Sequence, residues 1–350
     1  MIKSGMAVGS ARNAIFAAAA LAVGALAVTV TAQSPAQAQD TKAYVMKLST
    51  ATLNDTQHEW MKRFAAAVEK DSGGRIKGEV FPASQLGSIP RQIEGTQFGA
   101  IQAWIGPPEF LVGVDERYEA LSAPGLFSSE EQDIRVVGDP AVRNMMLGLG
   151  ANKGLVGIGL FPLSPSAIVT VKPVHHLAEF KGMKLRVLAS PFQLEMIKRM
   201  DASPVAMSLA DVLPALQQGA IDGALGTVPV FGPLHYIDAA KYVSEIGQPY
   251  VNTIAVMNKK WLEALPADLQ KIVRDDATAM DKEIVPFVSS FYAAQRKAWA
   301  EHGGQLSSLP ADEQAAFLQK ISDIGDTLSK DKPELNKAVH VAMDAAARNK

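Results

Sequence analysis

The sequence contains no cysteine. That excludes disulfides, thiolate metal sites and a cysteine nucleophile. Stability must then come from core burial, which a chain of 350 residues permits. An excess of one charge is missing as well: 34 basic side chains face 36 acidic ones, a net charge of −2. Without a basic patch, nucleic acid is not an expected partner. Catalytic constellations are absent too. His175-His176 lies beside Pro173 in a loop, off any helix face, and reads as solvated loop rather than a metal pair. Asp275-Asp276 are neighbours on a helix, where adjacent side chains diverge, and read as surface charge. Ser164, Ser166 and Ser190 lack a nucleophile-elbow pattern. Gly157-x-Gly159 precedes no helix, so it is not a dinucleotide loop. No cofactor, no metal and no catalysis are therefore expected.

The N-terminus carries a targeting pattern. Lys3 and Arg12 precede an uncharged, Ala-rich run from Ala14 to Val30, and Ala36-Gln37-Ala38 follows as a small-x-small site. This order predicts a secretory signal peptide over residues 1–38, cleaved after Ala38. The alternative is an anchor, since about 17 apolar residues is near the lower limit for spanning a bilayer. No cysteine stands there for lipid attachment. With Lys3 and Arg12 removed, 32 basic groups remain against 36 acidic ones. About 312 residues are left, a length suited to two domains of about 150 each. Secretion without disulfides fits a bacterial periplasm.

Strand and helix patterns then alternate. Tyr44 to Leu48 reads as a strand, and Glu59 to Lys70 as a helix with Trp60, Phe64 and Val68 on one face. Asp71 to Gly74 turns into a strand with Ile76, Gly78 and Val80. Ile89 to Phe98 is a short helix with Pro90 in its first turn, and Ala100 to Ile105 a third strand. Such a βαβαβ unit implies a mostly parallel sheet. A second unit has strands at Leu155 to Phe161, Ala167 to Val171 and Lys184 to Val187. Ser190-Pro191 opens a helix, and Ser208 with Asp211 is a capping-box variant before a helix that Pro214 should distort. The last third is helical. Leu265-Pro266-Ala267-Asp268 and Leu309-Pro310-Ala311-Asp312 share a helix-start signature. The first opens a periodic stretch of about 35 residues that Pro286 should kink, read either as one long helix or as two packed in succession.

Several motifs recur in a known order. Gly74-Arg75-Ile76 through Val80-Phe81-Pro82-Ala83-Ser84-Gln85-Leu86-Gly87, then Glu94-x-x-Gln97-x-Gly99, resemble the opening strand, turn and helix of the DctP-type solute-binding proteins of TRAP transporters. Ala120-Leu121-x-x-Pro124-x-Leu126-Phe127, Leu177 to Val187, Ala215 to Gly223 and Asn258-Lys259-Lys260-Trp261 through Leu265-Pro266 are similar to further signatures of that family. The resemblance runs in register over nearly all of the chain that follows the signal peptide.

It implies a two-lobed periplasmic binding protein fold of class α/β, each lobe a mostly parallel sheet flanked by helices, with a long C-terminal helix crossing both. Lobe 1 would comprise 39–163 plus 252–285 and lobe 2 164–251 plus 286–350, with the chain crossing near Leu163, near Val251 and along the long helix. The implied function is capture of a small organic carboxylate in the cleft and delivery to the membrane subunits of a TRAP transporter. The alternatives are a receptor for an ATP-driven importer or a sensor of similar fold and, further off, a secreted enzyme. Oligomeric state is left as a monomer or a dimer through C-terminal helices.

Arg186 stands where the family places the arginine that pairs with the ligand carboxylate, a match of planar fork to planar anion. Other positions depart from the family. A second arginine of many relatives falls on Ser166, an aromatic on Leu209, and an asparagine on Gly226 beside Thr227. One fixed charge and few amides point to a monocarboxylate with a modest apolar or aromatic body, such as a 2-oxo or 2-hydroxy acid. Trp104, on the third strand, would pack on it or serve as plain core. Asn54, His58 and Gln85 follow strands of the first unit, where ligands of open α/β sheets gather.

Overall fold

The computed structural model describes residues 43–188 and 190–350, so the signal-peptide reading lies outside the described residues. Nine strands form one sheet: β1 (Tyr44–Ser49), β2 (Ile76–Phe81), β3 (Ala103–Gly106), β4 (Leu155–Thr170), β5 (Lys184–Val187), β6 (Ser203–Ala206), β7 (Gly223–Gly226), β8 (Tyr242–Asn258) and β9 (Gln305–Ser308). Their order is β2-β1-β3-β8-β4-β7-β5-β6, with β9 on the far part of β8. β1 pairs in parallel with β2 and β3 at one end of this order, and β5 in parallel with β6 and β7 at the other. The two groups are joined by β4 and β8, long and antiparallel to each other.

The helices follow the expected punctuation. α1 (Thr56–Asp71) starts at Asp55, whose carboxylate accepts the His58 amide at 3.0 Å. α2 (Ile89–Phe98) has proline in its first turn and ends at Gly99, φ 86°. α3 (Glu130–Gly138) and α4 (Pro140–Gly148) precede β4, and α5 (Pro191–Arg199) follows β5 with Ser190 as its cap. Short helices α6 (Val212–Gln217) and α7 (Val228–Phe231) flank β7, and α8 (Lys259–Glu263) follows β8. The C-terminal third holds α9 (Ala267–Glu283), α10 (Val285–Glu301), α11 (Ala311–Ile321), α12 (Ile324–Ser329) and α13 (Pro333–Arg348).

Two sequence expectations change, and one left open is decided. The segments Leu155–Phe161 and Ala167–Val171 are one strand, β4, which runs through Pro162 and Pro165 because register shifts beside them absorb the missing donors. The 35-residue stretch is two 17-residue helices, α9 and α10, divided at Ile284 just before Pro286. Ser208 makes no cap bond; a 3₁₀ turn at Leu209–Asp211 leads into α6 instead.

Core packing explains the layers. Trp60 stacks on Phe64 and Phe161, with ring centroids 4.7 and 5.6 Å away, and Leu269, Val273 and Met280 of α9 close that cluster. Each such buried side chain contributes about 1.5–3 kcal/mol. On the other side of the crossing strands, Val212, Leu216, Phe231, Tyr236 and Trp299 form a second cluster that α10 joins. α9 thus rests on α1 and α10 on α7 and β9, so the pair passes from one half to the other. Asp281, near the joint, accepts Trp60 Nε1 at 3.1 Å, the Leu160 amide at 2.8 Å and Arg143 Nη2 at 2.7 Å. One carboxylate therefore ties α1, α4, β4 and α9 together.

Candidate functional site

The carboxyl ends of the parallel strands in both halves point at one place. Ala51 and Thr52 follow β1, Gly106 and Pro107 end β3, Leu188 follows β5, Leu209 follows β6, and Gly226 and Thr227 end β7; all line a single cavity with about 460 Å³ of empty space. The crossing strands contribute Leu163 and Val251 as its walls. Ile89, Phe110 and Val230 make the rest predominantly apolar.

Arg186 is the one charged side chain among the lining residues. It sits on β5 between β6 and β7 and is 2 % exposed. Its Nε donates to the Met207 carbonyl at 3.0 Å and its Nη1 to the Leu225 carbonyl at 3.1 Å, while Nη2 has no partner. Burial lowers its pKa to about 10, partly offset by Tyr236, so the group stays cationic at neutral pH. Across the cavity the Phe110 ring lies 6.0 Å from the guanidinium carbon. Among the described residues no carboxylate forms an ion pair with Arg186. A buried charge without a counter-charge is costly, and the free Nη2 edge is a fork waiting for an anion.

The other polar groups of the lining fall into two kinds. Thr52 and Gln57 are bonded within the protein, through Thr50 and Asp55. Trp104 Nε1 and Thr227 Oγ1 are buried without a partner, and both residues are 1 % exposed. Close packing holds them in place. The Trp104 ring lies over Gly106, where a Cβ would come within 2.4 Å of it, and a Cβ on Gly226 would come within 2.7 Å of Phe231. A side chain at either position would have to displace the Trp104 or Phe231 ring.

The structure brings five of the sequence candidates together in this cavity: Arg186, Trp104, Leu209, Gly226 and Thr227. It separates the rest. Ser166 is buried on β4 with an unpartnered hydroxyl but is not among the lining residues. Asn54, in a left-handed conformation at φ 52°, borders a second, outer cavity of about 940 Å³ with Pro233, His235, Trp299 and His302. His58 lines neither cavity; its Nδ1 accepts the Asn54 amide at 3.1 Å. Gln85 is exposed in the Pro82–Leu86 turn. Sequence reasoning missed Phe110 and Thr52. Both lie just past carboxyl ends of strands, the same rule that selected Asn54, which sits two residues beyond Thr52 in the loop after β1. In the exposed histidine pair, His176 Nδ1 meets Glu313 of α11 at 2.8 Å.

Two groups of strands linked by a crossing ribbon, with a cavity at the facing carboxyl ends, define a two-lobed solute-binding protein. Comparison with known proteins agrees. Residues 48–331 match the DctP family model, "bacterial extracellular solute-binding protein, family 7", and the chain belongs to that family. It is 27% identical over 274 residues to the uncharacterized protein YiiZ of Salmonella typhimurium, covering 73% of this chain and 84% of that one. It is 25% identical over 312 residues to the C4-dicarboxylate-binding periplasmic protein DctP of Rhodobacter capsulatus, covering 87% and 84%. A TRAP periplasmic solute-binding protein from Desulfovibrio salexigens with bound orotic acid superposes with a TM-score of 0.83 at 20% identity, over 88% of this chain and 100% of that one. The resemblance read from the motifs is thus met, in family and in fold. No helix among the described residues is long and apolar enough to cross a membrane.

Proposed function

We propose that the protein is a periplasmic receptor for a small monocarboxylate, which it carries to the membrane subunits of a TRAP transporter. The observation behind this reading is the Arg186 guanidinium, buried in an apolar cavity with Nη2 unpaired. A carboxylate would take that edge in charge-assisted bonds of about 1.5–3 kcal/mol each. Two of them supply much of the roughly −8 kcal/mol of micromolar binding. With one fixed cation in the lining, a second carboxylate of the ligand would lie unpaired among side chains such as Phe110, Leu188 and Val230, which disfavours dicarboxylates. The R. capsulatus relative binds C4-dicarboxylates by its name, and the D. salexigens structure holds orotic acid, which carries a single carboxylate.

The remaining assignments belong to the same reading. Residues 1–38 act as a cleaved signal peptide. The lobes comprise 39–163 plus 252–285 and 164–251 plus 286–350, and ligand bridging them favours the closed form by its differential affinity. Binding without turnover belongs to this reading and is supported by membership of a solute-binding family.

Isothermal titration of purified protein against a carboxylate library tests the assignment. Arg186→Gln is expected to weaken the best monocarboxylate at least about tenfold. An unchanged dissociation constant, or a sugar acid or dicarboxylate bound far more tightly than any monocarboxylate, would refute it.

A further inference from the structure

The cavity's unused hydrogen-bonding groups specify more than a carboxylate. Three of its lining side chains carry buried polar atoms without partners: Arg186 Nη2, Trp104 Nε1 and Thr227 Oγ1. A guanidinium and an indole N–H only donate, and a threonine hydroxyl can donate or accept. No Asp or Glu is among the lining residues. Trp104 comes from β3, in the first group of strands, and Arg186 and Thr227 from β5 and the end of β7, in the second. The two remaining polar side chains, Thr52 and Gln57, are already engaged inside the protein. The side chains around the cavity therefore hold more unpaired donors than acceptors, and buried donors left unpaired are expensive.

We infer that the ligand carries a carbonyl oxygen on the carbon next to its carboxylate, and that Trp104 Nε1–H and Thr227 Oγ–H donate to that oxygen while Arg186 holds the carboxylate. This rests on the monocarboxylate reading above and makes the substrate class 2-oxo acids with a branched or aromatic apolar body. A carbonyl accepts only, so it matches a donor set on every side. A hydroxyl at the same carbon brings a hydrogen that only Thr227 among the free groups can accept. An ammonium brings three donors and a positive charge into a site that already holds Arg186 and no lining carboxylate, so the corresponding amino acid is rejected. Bonds made from β3 on one side and from β7 on the other also give the 2-oxo group a part in drawing the halves together, which a plain carboxylate held by Arg186 alone lacks.

A matched series isolates the substituent: 4-methyl-2-oxopentanoate, 2-hydroxy-4-methylpentanoate, 4-methylpentanoate and leucine, with a second set bearing a benzyl body. Calorimetry should rank each set oxo, hydroxy, unsubstituted, then amino. The oxo acid should bind about tenfold more tightly than the unsubstituted acid and at least about 100-fold more tightly than the amino acid. Trp104→Phe and Thr227→Val should each shrink the oxo-to-unsubstituted ratio toward one, with the unsubstituted acid as internal control for fold and cavity shape. If the unsubstituted acids match the oxo acids in the unmodified protein, or both variants keep the full ratio, the donor assignment is wrong although Arg186 still binds carboxylates. If neither set binds and a sugar acid does, the monocarboxylate reading falls and takes this inference with it.

Discussion

Arg186 is held by two backbone carbonyls and no counter-charge. A side chain kept for structure destabilises the fold when removed, whereas an unpaired buried cation is itself a burden. Arg186→Met should leave the melting temperature of the ligand-free protein equal or raised while ligand-induced stabilisation disappears; a clear drop in the ligand-free melting temperature would mark the residue as structural. Asp281 is the contrary case. Its three donors include the Arg143 guanidinium, and Asp281→Asn would strand that cation, so we expect a loss of about 3 kcal/mol in chemical denaturation. Glu119 accepts Ser190 Oγ and the Phe192 amide, both at 2.6 Å, and Glu109 accepts Ser122 Oγ at 2.7 Å. Burial, the largest cause, raises both from 4.5 to about 7, so the native state holds protons there that the unfolded chain releases. Their stabilising contribution is complete below 4.5 and is lost as pH rises through 7. Melting temperature should therefore fall from pH about 5 to about 8, and fall less in Glu119→Gln. Of these residues only Arg186 was legible beforehand, because a family motif marks it. The buried acids gave no local signal, since what makes them unusual is contact with distant segments.

At the scale of elements, β4 shows what periodicity misses. Pro162, Ser164, Pro165 and Ser166 interrupt the apolar run, so the sequence reads as two strands, yet pairing with β8 continues across register shifts at Pro162/Ser164 and Pro165/Ala167. Antiparallel partners 72 or more residues away supply the hydrogen bonds that local pattern cannot reveal. A third shift, between Gly157 and Gly159, lets β4 lie close on α1 and α9: a Cβ at Gly159 would stand 2.8 Å from Asp281 Oδ1 and 2.9 Å from the Trp60 ring. Gly159→Ala should cost about 2 kcal/mol by equilibrium unfolding, and a neutral outcome would show that the α9 packing yields more easily than its contacts suggest. By contrast, β5 and α2 were read at their observed limits, and α1 within three residues, since caps, glycines and a 3.6-residue period are written locally. The division of α9 from α10 at Ile284 was legible from Pro286; whether two helices or one resulted depended on tertiary contacts.

Among the described residues the strands form one sheet, and β4 and β8 run through both of its halves. The molecule's strand-helix alternation and two-part plan were readable from the order of elements, while the insertion of β8 between β3 and β4 was not, because it unites segments from distant parts of the chain. Since β4 and β8 belong to both halves, unfolding should be a single cooperative transition with coincident fluorescence and circular dichroism curves; two separated transitions would show that the halves are independent. The same pair of strands also bounds the binding cavity through Leu163 and Val251. Under the proposed closure of the two lobes, the point of flexure and the recognition surface would be made from the same few residues. A mutation there cannot retune selectivity and leave the mechanics of capture untouched, so new specificities in this scaffold should arise more readily at the loop tips than along the ribbon.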